Sequence, residues 1–202
     1  MAAREKLLKT AMEVFAEKGF RGASTREIAL RAKVNQVTLF RIFGGKEQLY
    51  TAAVDQMFQT EPMREQLEEV CAGPLRGVDF LAAVIKVYLD TMMARPQRYR
   101  IVLYGALERN PAVMSVIDQY FAPIRTILQK RIQEGIREGE FRRGNSVLMH
   151  RLIVAAVVHE YQMAEMYDRP LRGVRMKDIP RKFAELIYNG LRNGTDESEK
   201  TD

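Results

Sequence analysis

Tryptophan is absent from this chain of 202 residues, cysteine occurs once, and histidine twice. The lone Cys71 excludes an intrachain disulfide framework and suits a reducing compartment. His150 and His159 stand nine residues apart in one helical stretch. That spacing puts them about 180° apart around a helix axis, so one ion cannot join them within a chain. No Ser/His/Asp or Cys/His constellation, Gly-rich phosphate loop or paired metal motif is present, so neither a metal nor a cofactor is expected. Long apolar runs are also missing. No stretch is long enough to span a bilayer, and the start MAAREKLLKT lacks an apolar run of signal-peptide length. The expectation is therefore a cytoplasmic protein without a membrane partner. Strand-type alternation and internal repeats are absent too, which leaves an all-α chain.

What is present is ordinary in amount and uneven in placement. Apolar residues make up 47% and charged residues 29% of the chain, with a formal net charge of +6. Residues 1–50 hold ten basic and five acidic residues, and the remainder twenty-two and twenty-one. The basic excess thus sits almost entirely in the first quarter. A local basic excess of this kind is what a nucleic-acid-binding segment carries, although a solvated basic face produces it as well.

The most informative stretch is STREIALRAKVNQVTLFRIFGGK, residues 24–46. Ser24 and Glu27 have capping-box spacing, which starts a helix at Thr25. Ile28, Ala29 and Ala32 form its apolar side. Asn35 is an N-cap for a second helix over 36–43, and Gly44-Gly45 ends it. At about 100° per residue, Leu39 and Phe43 point together, with Val34 just before them, while Val37, Thr38 and Arg41 face the other way. Gln36 and Phe40 lie at the edges of that arc. Hydrogen-bonding and apolar groups mixed on one exposed arc are what a DNA major groove reads. Arg26, Arg31, Lys33 and Lys46 surround it as phosphate-holding candidates. Ser24, Thr25, Arg26, Asn35, Gln36, Val37, Thr38, Phe40, Arg41 and Lys46 are accordingly the candidate DNA-binding residues. A helical hairpin that only packs into a core is the competing reading.

These residues carry a resemblance. The run from Arg4 to Leu49 resembles the N-terminal domain of the TetR family of bacterial transcriptional regulators. The matching positions are Ala11, Phe15, Gly19-Phe20, Ser24, Ile28-Ala29, Ala32, Val34, Thr38-Leu39, Phe43, Lys46-Glu47 and Leu49. Two positions depart from it. Lys33 stands at a turn position where the family usually has Gly, and Phe40 where it usually has Tyr, whose hydroxyl reaches a phosphate.

The remaining chain reads as helices. An opening helix over 4–18 ends at Gly19, and a fourth runs from Lys46 to about Glu61. Residues 61–77 read as a connection with a helical turn near 64–70. Further helices are expected over 79–94, 97–109, 112–139 (with Pro123 inside), 146–167 and 178–193. The expected architecture is all-α, about nine helices: a three-helix helix-turn-helix domain over 1–46, a larger regulatory domain over 47–194, and a polar, disordered tail over 195–202. The last two helices are candidates for a dimer interface through Leu148, Leu152, Ala155, His159, Phe183, Leu186, Ile187 and Leu191, a four-helix bundle in which each subunit supplies two helices. Tyr88, Met92, Tyr99, Leu103, Met114, Ile117, Phe121 and Met149 are apolar or amphipathic. Composition makes them core residues, and the resemblance implies that they line a pocket for a small-molecule effector.

These features and the resemblance together lead to the expectation of a homodimeric regulator of double-stranded DNA, and the resemblance implies a repressor released from a palindromic operator by a largely apolar ligand. An activator, a ligand-independent DNA- or partner-binding helical protein, and a helical enzyme are the alternatives. Operator selection and a turnover screen distinguish them.

Overall fold

In the computed structural model, residues 2–59 and 62–191 are described, and all their regular structure is helical. Ten α-helices stand among them: α1 (Ala3–Gly22), α2 (Thr25–Arg31), α3 (Gln36–Phe43), α4 (Lys46–Gln59), α5 (Met63–Ala72), α6 (Gly77–Ala94), α7 (Pro96–Leu107), α8 (Pro111–Arg137), α9 (Ser146–Tyr161) and α10 (Ile179–Leu191). A π-helical turn, Gln162–Met166, follows α9, and a 3₁₀ turn, Met176–Asp178, precedes α10. The expected disordered tail, 195–202, lies outside the described residues. So do the expected end of the fourth helix at 60–61 and that of the last helix at 192–193.

The helix beyond the expected nine is α5. Its segment reads as a broken connection because Pro62 and Gly73-Pro74 bracket it. Those same residues delimit it: Pro62 takes the N-cap, and the Gly73 N–H closes the last turn on Glu69 O at 3.0 Å. Met63 and Leu67, one turn apart, supply the buried side. Pro111 begins α8, where its missing N–H costs nothing. α8 runs through Pro123 without a break, and the boundary between two compact packing units falls at Ala122–Pro123.

The first unit joins α1–α4 to α7 and the first part of α8, within 1–61 and 94–122. Leu7, Leu8, Ala11, Val14, Phe15, Ile28, Leu39, Leu49, Ala53, Val54, Ile101 and Val113 form its core. Phe15 meets Tyr50 edge-on with ring centroids 4.6 Å apart. Phe58 packs against Tyr120 and Phe121, at 4.7 and 6.0 Å.

The second unit contains α5, α6, the rest of α8, α9 and α10, within 62–93 and 123–202. A buried ion pair holds its loops. Arg131 Nη2 lies 2.8 Å from Glu140 Oε2, and Arg131 stacks 4.4 Å from the centre of the Phe80 ring. Glu140 also accepts the Gly77 N–H at 2.7 Å, and Arg131 donates to Leu75 O at 3.3 Å. The loop before α6 and the loop after α8 are thereby joined.

Two of the expected dimer-interface residues turn inward instead. Ile187 and Leu191 are buried, and Leu191 lines a void too small for water with Leu81, Ile132, Phe141, Met149 and Ile153. The reason is rotational. Ile187 is about 100° from its neighbour Leu186, and Leu186 is 71% exposed. Phe183 is half-buried, while Leu148, Leu152, Ala155 and His159 all face outward along α9.

Candidate nucleic-acid interface

The interface candidate is built from α2, the turn after it, and α3. Ser24 Oγ accepts the Glu27 N–H at 3.1 Å, half of the expected capping box. The other half is not made, because the Glu27 carboxylate is drawn to Lys18 and Arg31, each at 2.7 Å. The hydrogen bond from Lys18, with Arg31 alongside, holds the Glu27 carboxyl below its usual range. Arg31 also reaches Glu17 at 2.8 Å. It therefore ties α2 to α1, a role its sequence position does not reveal, since Glu17 lies fourteen residues away.

The turn between the helices uses Lys33 in the left-handed region, at φ 54°. The Lys33 and Val34 N–H groups return to Leu30 O and Ala29 O, at 3.1 and 3.0 Å, which is a Schellman closure. That conformation favours glycine, so Lys33 carries a conformational cost of order 1 kcal/mol. Asn35 then caps α3, its Oδ1 accepting the Val37 N–H at 2.8 Å. Gly44 ends α3 at φ 83°, and its N–H bonds Phe40 O.

Leu39 anchors α3, fully buried, with Val34, Ile42 and Phe43 packed around it. This orientation turns Val37, 73% exposed, together with Phe40 and Arg41, to the surface. Thr38 and Gln36 are half-buried at its edge. Gln36 Nε2 donates to Thr25 Oγ1 at 3.0 Å, which tethers the start of α3 to the start of α2. Ser24, Arg26 and Asn35 are exposed beside them. Among the described residues Arg26, Lys33 and Arg41 form no ion pair, so their charges stay available to an anionic partner. The α3 surface thus offers a guanidinium, a hydroxyl, an amide and the methyls of Val37 on one short helix. These are the groups that read base edges and thymine methyls.

Lys46, expected beside a phosphate, has local partners as well. Its Nζ stands 3.4 Å from Arg21 O and 4.5 Å from the Phe20 ring centre. An ammonium has three donors, so these contacts orient Lys46 without using it up.

The candidate effector residues divide between the two units. Tyr99, Leu103, Ile117 and Phe121 are half-buried in the first, and Met114 is exposed there. Tyr88 and Met149 are buried in the second, where Met92 is half-buried. Phe121 contacts Phe58 and Tyr120, and Met149 lines the small void described above. His150 is buried and His159 exposed, on different sides of α9. Burial, reinforced by Arg125 and Arg151, pushes the His150 imidazole below its ordinary pKa. No helix among the described residues is long and apolar enough to cross a membrane.

Residues 7–53 match the family model for bacterial regulatory proteins of the tetR family. An HTH-type transcriptional regulator of Mycobacterium tuberculosis is 27% identical over 132 residues, which cover 65% of this chain and 56% of that one. The matched stretch thus spans little more than half the length of that relative. The HTH-type transcriptional regulator UidR of Escherichia coli is 26% identical over 156 residues, 75% of this chain and 76% of UidR. Among solved structures, the transcriptional regulator FadR of Bacillus subtilis in complex with stearoyl-CoA has the same fold. Its TM-score is 0.68 at 21% identity, with 92% of this chain and 98% of that one covered. Residues 7–53 thus match the tetR-family segment, and the helical fold that continues behind them is one the chain shares with solved transcriptional regulators.

Proposed function

We propose that the protein is a homodimeric transcriptional repressor in the bacterial cytoplasm that binds a palindromic operator and releases it when a small apolar molecule binds the helices behind α4. The observation that carries this reading is the arc on α3. Gln36, Val37, Thr38, Phe40 and Arg41 form a groove-reading surface, held outward by the buried Leu39. The chain's basic excess lies in the same segment. Dimerisation is supported by the exposed apolar line on α9, Leu148, Leu152 and Ala155, together with Leu186 on α10. Two copies give two recognition helices, and two half-sites about 34 Å or a multiple apart. The apolar part of the effector draws support from the FadR structure, which holds stearoyl-CoA; molecules with a long acyl chain, free or carried on a polar anionic group, are therefore the first class to try. An effector that empties most operators must favour the released state by about 5 kcal/mol.

Selection of bound sequences from random duplex DNA, with purified protein at physiological salt, tests the reading. An enriched palindrome is expected. Failure to enrich any sequence, also after refolding free of small molecules, overturns it. With that duplex as probe, Thr38→Ala and Arg41→Ala are each expected to weaken binding by about 1–3 kcal/mol and to relax base preference at one position. Unchanged affinity in both variants removes α3 as the reader. Lys46→Ala is expected to weaken binding to all duplexes alike and to reduce the slope of log K against log salt by about one. A change in base preference instead takes Lys46 off the phosphate.

A further inference from the structure

At the end of α1 the short segment Phe20–Arg21 is held from both sides by residues distant in sequence. Gly19 has φ 70° and ψ −178°, a region open essentially only to glycine. It breaks the α1 ladder, and the next two N–H groups leave the helix. Both go to one carboxylate. Phe20 N–H donates to Glu108 Oε2 and Arg21 N–H to Glu108 Oε1, each at 3.0 Å. Glu108 is the C-cap of α7. Two successive N–H groups converging on one anion form a nest, filled here by the chain's own side chain. Gly19 also makes room for it: a Cβ on Gly19 would lie 2.6 Å from Glu108 Oε1 and 3.0 Å from the Tyr104 ring. One turn earlier on α7, the Tyr104 hydroxyl donates to Glu17 O at 3.3 Å. On the far side of the same residue, Arg21 O receives Lys46 Nζ at 3.4 Å, and the Phe20 ring sits under that ammonium at 4.5 Å.

We infer that Glu108 is a positioning residue for DNA recognition, a latch by which the end of α7 fixes the Phe20–Arg21 segment and, through it, Lys46 at the start of α4. Any shift of the α7 end pulls on a charge-assisted pair of bonds instead of sliding past an apolar surface. Its effect arrives at the cation beside the reading helix. Tyr99 and Leu103 stand on the same α7, so an effector contacting them has a mechanical route to Lys46. The inference rests on the DNA-binding reading above.

The sign of the effect separates this role from simple charge. A carboxylate near a DNA-binding face repels phosphate, so if Glu108 acted only through its charge, removing it would tighten binding. The latch predicts the reverse. With the selected duplex as probe and the full-length protein at fixed salt, Glu108→Ala is expected to weaken binding about tenfold. Glu108→Gln keeps one acceptor and is expected to lose about threefold. In the Lys46→Ala background, Glu108→Ala should cost clearly less than in the native chain, because the group it positions is gone. Thermal unfolding identifies a Glu108→Ala variant that does not fold, and Glu108→Gln then carries the test. Unchanged or tighter binding by the folded variants, or losses that multiply independently of Lys46, overturns the latch. If the native protein enriches no duplex, the DNA-binding reading fails first, and the latch with it.

Discussion

For the proposed dimer, Leu148→Glu is expected to separate the two subunits and to reduce operator affinity about 10²–10⁴-fold, with the monomer still folded. Leu148 is 64% exposed on α9, one turn from Leu152 at 49%. A large apolar side chain this open contributes little to the monomer's core, so glutamate there costs little in a single chain. In a dimer the same carboxylate would be buried opposite its symmetry copy. A two-fold interface brings each substitution in twice, and two unpaired carboxylates in an apolar contact cost several kcal/mol. The loss of DNA affinity follows from the loss of avidity, because each half-site is then bound alone. Sedimentation or light scattering checks the mass, circular dichroism the fold, and titration of the selected palindrome the affinity. A variant that remains dimeric moves the interface away from this stripe. A monomeric variant with unchanged operator affinity dismisses the need for two readers. Leu186→Glu, at the exposed leucine of α10, is expected to act in the same direction. Ile187 and Leu191 would instead report on stability, since both are buried within the chain.

The largest stability effect is expected at Glu140. Its carboxylate meets the Arg131 guanidinium at 2.8 Å, with side-chain exposures of 5% for Arg131 and 9% for Glu140. Glu140→Ala leaves the guanidinium buried beside Phe80 with its countercharge removed, and also deprives the Gly77 N–H of its acceptor. Breaking a buried pair from one side costs about 3–5 kcal/mol, a large share of the stability of a domain this size. Urea unfolding of the native and variant proteins measures it. The double replacement Arg131→Met, Glu140→Ala is expected to recover most of the loss, since the stranded charge is gone and Met fills the space against Phe80. No recovery would mean that the bonds from Glu140 to the α6 loop, and not the stranded charge, dominate. The surface pairs Arg64–Glu68 and Lys86–Asp90 serve as controls, because exposed pairs contribute about 0–1 kcal/mol.

How far the sequence led can be traced residue by residue. The caps of α2 and α3 were legible because capping is local: Ser24 and Asn35 bond backbone groups two or three residues ahead. Leu39 as anchor and Val37 as exposed neighbour followed from helical rotation alone. Glu27 was half-legible. Its spacing suggests the reciprocal cap, yet Lys18, brought near by packing, and Arg31, one turn along the same helix, attract a carboxylate more strongly than a neutral N–H does. Arg31 reads as a phosphate ligand in the sequence because Glu17 is near it only after α1 and α2 pack. α5 reads in the sequence as only a helical turn within a connection, because breakers at both ends look like a loop when the two buried anchors between them, Met63 and Leu67, are not yet known to face a core.

The sequence by itself determined the helical periods, the breaks at Gly19, Gly44 and Gly73, the caps of the reading helix and the placing of the basic excess. Each depends on residues within a turn or two of one another, or on composition alone. Only the tertiary structure decided that Glu108 of α7 closes the end of α1, that Arg131 and Glu140 share a buried site, and that Leu186 faces out while Ile187 and Leu191 face in. Those outcomes depend on which surfaces meet. Glu108 stands 88 residues from Phe20, and no local pattern encodes a partner that only packing brings to 3.0 Å.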